Sequence, residues 1–358
     1  MFPFKWQFYT SSREAWDSML FECSKAEISI DIEQYIFAND VVGRPFIDLL
    51  KEKSKSGIKV RLLVDMVGSS DFYYSKAPKE LEDAGVSVRF FNVVSFWRIH
   101  NFTSWFFRDH RKVLIVDQKV GFTGGLGIRE NMKDWHDVTA RVEGSVVNEM
   151  HDSFGEMWST TTEKSFIKKI IKYRKQKQKR VFISNDPYFK KRFLYYSLIE
   201  SLRSAKKSIS IINPYFIPER RFSRVLRQAS RRGVDVKVLL PNEVDIPILD
   251  TASDSTLEKF LKSGVKIYKY NPEFIHTKIV IVDDNWATFG SFNLDNLSFV
   301  YNHEANIITT DIMCVSDLKE IFSEALDESH EIKYIDWRNR PLIRKIKEFL
   351  TIPIRSFL

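Results

Sequence analysis

The chain has 358 residues, a net charge of +8 and a pI of about 9.2, and 14% of it is aromatic. That length and aromatic content can build a large core, and the positive balance favours phosphate-rich partners, either nucleic acid or an anionic membrane. Cys23 and Cys314 are too few for a disulfide framework and sit at no metal-ligand spacing. No apolar run reaches membrane-spanning length, and the start MFPFKWQFYTSSREAW has no long apolar core of the signal-peptide kind, so the reading is of a soluble or peripheral, intracellular chain.

Taken in chain order, Ala26 to Ile30 reads as a strand leading to Tyr35-Ile36-Phe37. Pro45 to Ser56 has helical spacing and stops at Gly57, a usual helix terminator. Ile58 to Val64 is a second β-type run, and Leu81 to Val86 (LEDAGV) closes another helix-to-strand step. An aromatic stretch follows, with Phe96, Trp97, Phe102, Trp105, Phe106 and Phe107 just before His110. Its Trp and Phe, mixed with Arg and His, suit a membrane interface or an acyl-chain channel; a lid packed on the domain is the plainer reading. Then come His110, Lys112, the apolar run Val113 to Val116, Asp117, the small-residue turn Gly124-Gly125, and Asp137.

The same order then repeats. Lys207 to Ile211 leads to Tyr215-Phe216-Ile217, Arg221 to Arg232 has helical spacing and stops at Gly233, and Val234 to Leu240 is β-type. Leu261 to Val265 (LKSGV) matches LEDAGV, and only NPEFI separates Tyr270 from His276. His276, Lys278, the run Ile279 to Val282, Asp283, Gly290-Ser291 and Glu304 then reproduce the first set at equal or nearly equal spacing. Alternating strands and helices in two copies predict an α/β chain of two similar halves. The expected boundaries are 1–160 and 188–336, joined by a basic linker at 161–187 and followed by a basic amphipathic tail at 337–358. The linker's charge run Lys172 to Arg180 reads equally as a solvated connector or as a contact with an anionic surface. The tail reads as a surface helix or as an interfacial one, broken at Pro353.

The motif H-x-K-x-x-x-x-D, present twice, has a geometric meaning. Side chains alternate along a strand, so His110 and Lys112 share a face, as do His276 and Lys278. Asp117 and Asp283 fall at the strand end on the other face, which suits them to tying a turn together. Two imidazoles and two ammonium groups suit phosphodiester chemistry. One neutral imidazole attacks phosphorus, and the other, protonated, supplies the leaving alkoxide with its proton. Lys112 and Lys278, with Ser291 and the Asn293 amide, can stabilise the transition-state charge without a metal or other cofactor. Each imidazole needs an acceptor on its other nitrogen, and Asp137 and Glu304, one following each motif, are placed for that.

The paired motif, with Gly-Gly or Gly-Ser after it, resembles the phospholipase D superfamily. The stretches Trp135 to Trp158, Ile212 to Pro218 (INPYFIP), Phe289 to Ser298 (FGSFNLDNLS) and Tyr301 to Asp311 are similar to short bacterial cardiolipin synthases. The resemblance implies two phospholipase D-like α/β halves packed as a pseudo-twofold monomer with the active site between them. It also implies a catalytic set of His110, Lys112, Asp117, His276, Lys278 and Asp283, with His110 as nucleophile and His276 as acid. Two positions depart from the family pattern. Gly127 stands where an Asn is usual, with Arg129 and Asn131 as nearby substitutes, and Leu297 stands where an Arg is usual.

The expected activity is phosphatidyl transfer through a phosphohistidine, making cardiolipin from phosphatidylglycerol or a related phospholipid at the cytoplasmic membrane face. The alternatives are a phospholipase D that uses water and a nucleic-acid phosphodiesterase. The aromatic content beside the site favours acyl chains over nucleic acid, and no base-stacking motif is visible. A non-catalytic scaffold would not need both His-Lys pairs. The acceptor alcohol is left open by the sequence.

Overall fold

The computed structural model describes residues 4–93, 107–161, 181–187, 192–353 and 355. The aromatic stretch at 94–106 and the linker run at 162–180 lie outside the described residues. The chain divides into two compact units: Met1–Lys133 with Thr139–Ser184, and Asp134–Val138 with Asn185–Leu358.

The first unit is built on a seven-stranded sheet. Its strands are β1 (Lys5–Ser11), β2 (Ser29–Gln34), β3 (Lys59–Asp65), β4 (Ser87–Phe91), β5 (Val113–Val116), β6 (Val120–Gly124) and β7 (His136–Glu143), in the order β1-β7-β6-β5-β2-β3-β4. β2, β3 and β4 run parallel through crossover helices, whereas β5 and β6 return antiparallel. The helix Gly43–Lys55 spans the first crossover, and Gly57 ends it at a φ of 87°, where a side chain would be strained.

The second sheet has eight strands, the first of which, β8 (Phe182–Asn185), is where the chain passes from one unit to the other. The rest are β9 (Ser208–Ile212), β10 (Asp235–Pro241), β11 (Lys266–Tyr270), β12 (Ile279–Val282), β13 (Trp286–Gly290), β14 (Glu304–Thr309) and β15 (Ser329–Ile332). Their order, β15-β11-β10-β9-β12-β13-β14, contains the first sheet's β4-β3-β2-β5-β6-β7 again. β9, β10 and β11 are parallel, β12 is antiparallel to β9, and the crossover helix Arg220–Arg231 stops at Gly233 with a φ of 91°. The duplicated sequence thus folds as a duplicated α/β sheet.

The apolar runs after each His are fully buried strands, β5 and β12, near the middle of their sheets. Each is coated on both faces, as an uninterrupted apolar run requires. β2 differs from its counterpart β9 in its charges. Asp31 and Glu33 are buried there, Asp31 in a two-point ion pair with Arg61 at 2.6 and 2.7 Å, and Glu33 in an ion pair with Arg111. Burial holds Glu33 well above the usual carboxylate range, with the Arg111 guanidinium opposing it. β9 carries Ser210 and Ile212 at the matching places.

Candidate active site

Each motif ends in a hairpin turn that fixes the preceding strand. Asp117 and Asp283 adopt φ of 52° and 53°, a left-handed conformation that Asp tolerates better than most residues. The Asp117 carboxylate accepts from the backbone N–H groups of Glu27, Ile28 and Ser29 at 3.0, 2.7 and 2.8 Å. Asp283 does the same for Lys206, Lys207 and Ser208. These amides hold both carboxylates below their usual range against the opposing effect of burial. Both Asp residues therefore fasten the hairpin to the start of the neighbouring antiparallel strand, β2 or β9. Their carboxylates are committed to amides, which leaves the His and Lys of each motif as its candidate reacting side chains.

In the first unit, His110 and Lys112 are buried at the entry to β5. Lys112 Nζ donates to the His110 carbonyl at 2.7 Å. The edge of the His110 ring meets Tyr35 at 4.9 Å, and Lys112 Nζ lies 5.3 Å from the same ring. Arg111, between them, points its charge elsewhere, to Glu33, Asp109 and the Ser153 hydroxyl.

The second unit holds the equivalent set. Lys278 Nζ donates to the His276 carbonyl, repeating the Lys112 arrangement, and lies 2.9 and 3.0 Å from the two ring nitrogens of His276. Tyr215 faces His276 edge-on at 6.1 Å, as Tyr35 faces His110, and its hydroxyl donates to Asp245 at 2.6 Å. Tyr35 and Tyr215 were not among the sequence-predicted residues, although each opens a repeated Tyr-x-x step after its strand.

Asp137 pairs with the histidine of the other copy. Its Oδ2 lies 2.7 Å from His276 Nδ1, and both groups are buried. The cause is a short parallel bridge between His136 and Ile275. His136 N–H donates to the Phe274 carbonyl at 3.1 Å and His276 N–H to the His136 carbonyl at 2.8 Å. This bridge draws Asp134–Val138 into the second unit and sets Asp137 beside His276. His136 itself turns its Nδ1 to the Thr277 hydroxyl, at 3.1 Å, and burial lowers its pKa.

Glu304 is wholly buried, and the Ser291 and Ser298 hydroxyls donate to its two oxygens. Ser291, expected at the phosphate, thus spends its proton on Glu304 while its oxygen accepts the Ala305 N–H at 3.0 Å. It acts as a brace for that carboxylate. Asn293 is buried, and its side-chain oxygen has no hydrogen-bond partner among the described residues. Gly290 precedes this turn at a φ of 153°, where a Cβ would come within 2.4 Å of the Ala305 carbonyl oxygen. Close approach of β14 therefore demands glycine there.

The two departures from the family pattern have local causes. A Cβ at Gly127 would sit 3.0 Å from Ile36 and 3.1 Å from Met132 Sδ, so this is a tightly packed position. Arg129 is taken by Asp71 in an ion pair, and Asn131 is exposed. At Leu297 no cation faces Asp295 from that residue. Burial, helped by the Glu304 charge, raises Asp295 to about 7 even though the Ser298 N–H at 2.7 Å and the Lys278 charge both act to lower it.

Lys278 is the electrostatic centre of the second unit. Burial lowers its pKa to about 8, against the pull of Asp137, Glu304, Asp245 and Asp295. A cleft of about 440 Å³ opens on this unit, lined by Trp135, Glu243, Asp245, Tyr270 and Phe274 among others. Trp135 and Phe274 also flank the His276 ring, at 4.7 and 5.7 Å. Of the remaining histidines, His303 lies 4.0 Å from Asp186, His151 lies 3.8 Å from Asp31, and His330 contacts Asn271. His100 lies outside the described residues. Among the described residues, no group of three or more His, Cys, Asp and Glu side chains is arranged to hold a metal ion.

Comparison with known proteins agrees with this picture. Residues 20–158 and 198–326 match the family model described as "Cardiolipin synthase, PLD-like domain". A cardiolipin synthase of Clostridium perfringens (strain SM101 / Type A) is 30% identical over 95% of this chain and 74% of its own length. One from Alkalihalophilus pseudofirmus is 33% identical over 95% of this chain and 69% of its own length. In fold, a phosphatidylserine synthase of Haemophilus influenzae Rd KW20 superposes with a TM-score of 0.78 over 100% of this chain and 97% of its own, at 15% identity. Since the family match takes in both repeated sheets and both histidine motifs, the chain belongs to the cardiolipin synthase family with phospholipase D-like domains and is a phosphatidyltransferase of the phospholipase D type.

Proposed function

We propose that this chain makes cardiolipin from phosphatidylglycerol through a phosphohistidine intermediate, at the cytoplasmic face of the membrane, where its positive charge meets anionic headgroups. The observation that carries this reading is the buried group of His276, Asp137 and Lys278, with His110 and Lys112 as the same His-Lys pair in the first unit. Neutral His110 attacks phosphorus, and the bond from phosphorus to the glycerol oxygen breaks. Protonated His276 gives its proton to that oxygen, and glycerol leaves. The glycerol hydroxyl of a second phosphatidylglycerol then returns a proton to His276 while its oxygen attacks phosphorus. The bond to His110 breaks, and cardiolipin departs. Lys112, Lys278 and Asn293 stabilise the charge that builds on the phosphoryl oxygens. Asp137 fixes the His276 tautomer and supports its imidazolium form. The carboxylates Glu243 and Asp245 in the neighbouring cleft suit the hydroxyls of a glycerol headgroup and repel its phosphate, which favours the phosphate staying at the lysines.

The test is a product assay. Purified protein should convert phosphatidylglycerol vesicles to cardiolipin plus glycerol with little phosphatidic acid, and added glycerol should drive the reaction backwards, because one phosphodiester replaces another. Phosphatidic acid as the sole product would favour a hydrolase. Absence of any lipid product, with cleavage of single-stranded nucleic acid, would favour a nuclease.

A pH prediction follows from Lys278. Its ammonium form is needed for charge stabilisation, and that form is lost as pH rises through about 8. The kcat/KM profile should therefore fall on its alkaline side near that pH. A bound phosphodiester anion favours the ammonium form, so the corresponding limb of kcat should lie at higher pH. Lys278→Arg should keep its charge, lower turnover and abolish the alkaline fall; a fall that persists unchanged in this variant would assign it to another group.

A further inference from the structure

The C-terminal helix Leu342–Thr351 presents its apolar side outward. It packs on helix Pro247–Leu261. The docked side is polar. Glu348 is buried and accepts from Arg340 at 2.7 and 2.6 Å. Arg340 also reaches Glu258 at 3.2 Å, and Arg344 pairs with Asp254. Both guanidinium groups lie against the Trp337 ring, at 5.0 and 4.7 Å. On the other side Leu342, Phe349 and Leu350 are 73%, 69% and 68% exposed, with Ile343 and Ile346 exposed beside them.

At about 100° per residue, these five apolar side chains cover an arc of roughly 120° facing away from Glu348 and Thr351. Lys345 and Lys347 fall on its two margins. A helix on a water-facing surface has the reverse arrangement, with apolar residues inward. An apolar stripe bordered on both sides by lysines is the pattern of a helix lying in a bilayer interface, where ammonium groups reach the headgroups and apolar side chains sit among the upper acyl carbons.

We propose that this helix is the lipid-docking element of the protein, seated on the surface of an anionic phospholipid bilayer. The proposal rests on the reading that the substrates are bilayer lipids. Charge complementarity selects the occupant: lysines edge the stripe, and the chain carries +8 overall. A second copy of the same face would set like lysine rows against each other. Among the described residues no helix is long and apolar enough to cross a membrane, so this stripe would act as a surface contact. The ion pairs on its docked side hold the helix in one orientation, so the stripe would meet the bilayer in a fixed pose.

The test uses the full chain with Leu342, Phe349 and Leu350 all changed to Ser. These residues are exposed, so the thermal melt should be unchanged. Affinity for vesicles of equal parts phosphatidylglycerol and phosphatidylcholine, read by co-sedimentation without turnover, should fall by at least about tenfold. In a separate Phe349→Trp protein, tryptophan emission should shift to shorter wavelength when those vesicles are added. Unchanged co-sedimentation, or an unshifted emission, would overturn the proposal. So would a triple variant that turns a wild-type dimer into a monomer while vesicle binding stays the same. The triple variant should keep cardiolipin formation on detergent-dispersed phosphatidylglycerol. Wild-type protein that binds vesicles through this helix yet makes no cardiolipin would count against the functional reading alone.

Discussion

Alanine at His110, or at His276, should lower turnover of phosphatidylglycerol by roughly 10⁴-fold or more, and the double variant should be little worse than either single one. The proposed reaction needs two imidazoles in opposite protonation states, one neutral to attack and one charged to donate. Neither can do the other's work in the same step, so losing one stops the cycle. Each copy of the motif supplies a single His and a single Lys, so the proposed mechanism draws on both copies for one reaction. Both rings are buried, so truncation to Ala also leaves a void, and a fall in activity could be confused with a loss of fold. His276→Gln keeps most of the volume and serves as the second variant. It should melt near wild type and be as inactive as His276→Ala. Half of wild-type turnover in either alanine protein would sink the assignment of both histidines to one reaction.

Much of this arrangement was legible from the sequence because it obeys local rules. Fully apolar, largely β-branched runs made β5 and β12, and glycines at 57 and 233 ended the two crossover helices at positive φ. Alternation along a strand put His and Lys on one face and Asp at the turn, where three amides now hold it. Internal repetition did the rest, since a feature seen twice at the same spacing is read twice.

What stayed hidden depends on contacts distant in sequence. Matched spacing offered Asp137 and Glu304 as acceptors for the two imidazoles without saying which serves which, and the His136–Ile275 bridge sets Asp137 beside His276. No periodicity in either segment announces a bridge that short. Ser291 read as a phosphate donor from its place after a glycine, and its hydroxyl donates to Glu304, a partner thirteen residues away that the spacing did not announce. The first strand read from the sequence stopped at Ile30 and did not reach the buried charges Asp31 and Glu33, which Arg61 and Arg111 pair with from distant segments. The C-terminal helix shows the same limit. Its amphipathic period was visible, but a helical wheel does not say which side docks, and here ion pairs rather than apolar side chains make the docked side.

Asp137→Asn should cost about 10² to 10⁴ in kcat/KM while leaving the fold intact. The amide matches the carboxylate in shape, so packing is preserved. It differs in charge, and it can offer an N–H to His276 Nδ1 where the carboxylate can only accept. That selects the wrong tautomer, a change that costs about 10⁴ in kcat in a Ser-His-Asp triad. The loss also removes support for imidazolium, so the step in which His276 carries the proton suffers most. A second readout separates this role from a merely structural one. Among the carboxylates that hold up the Lys278 pKa, Asp137 has the largest effect, against burial that lowers it. Without that negative charge Lys278 should lose its proton at lower pH, so the alkaline limb of kcat/KM should move below about 8. Asp137→Glu, which restores the charge, should return the limb towards its original place even if turnover recovers only in part. A loss of less than tenfold in the Asn variant, with the alkaline limb unmoved, would reduce the His276–Asp137 contact to packing and leave the orientation of His276 to other groups.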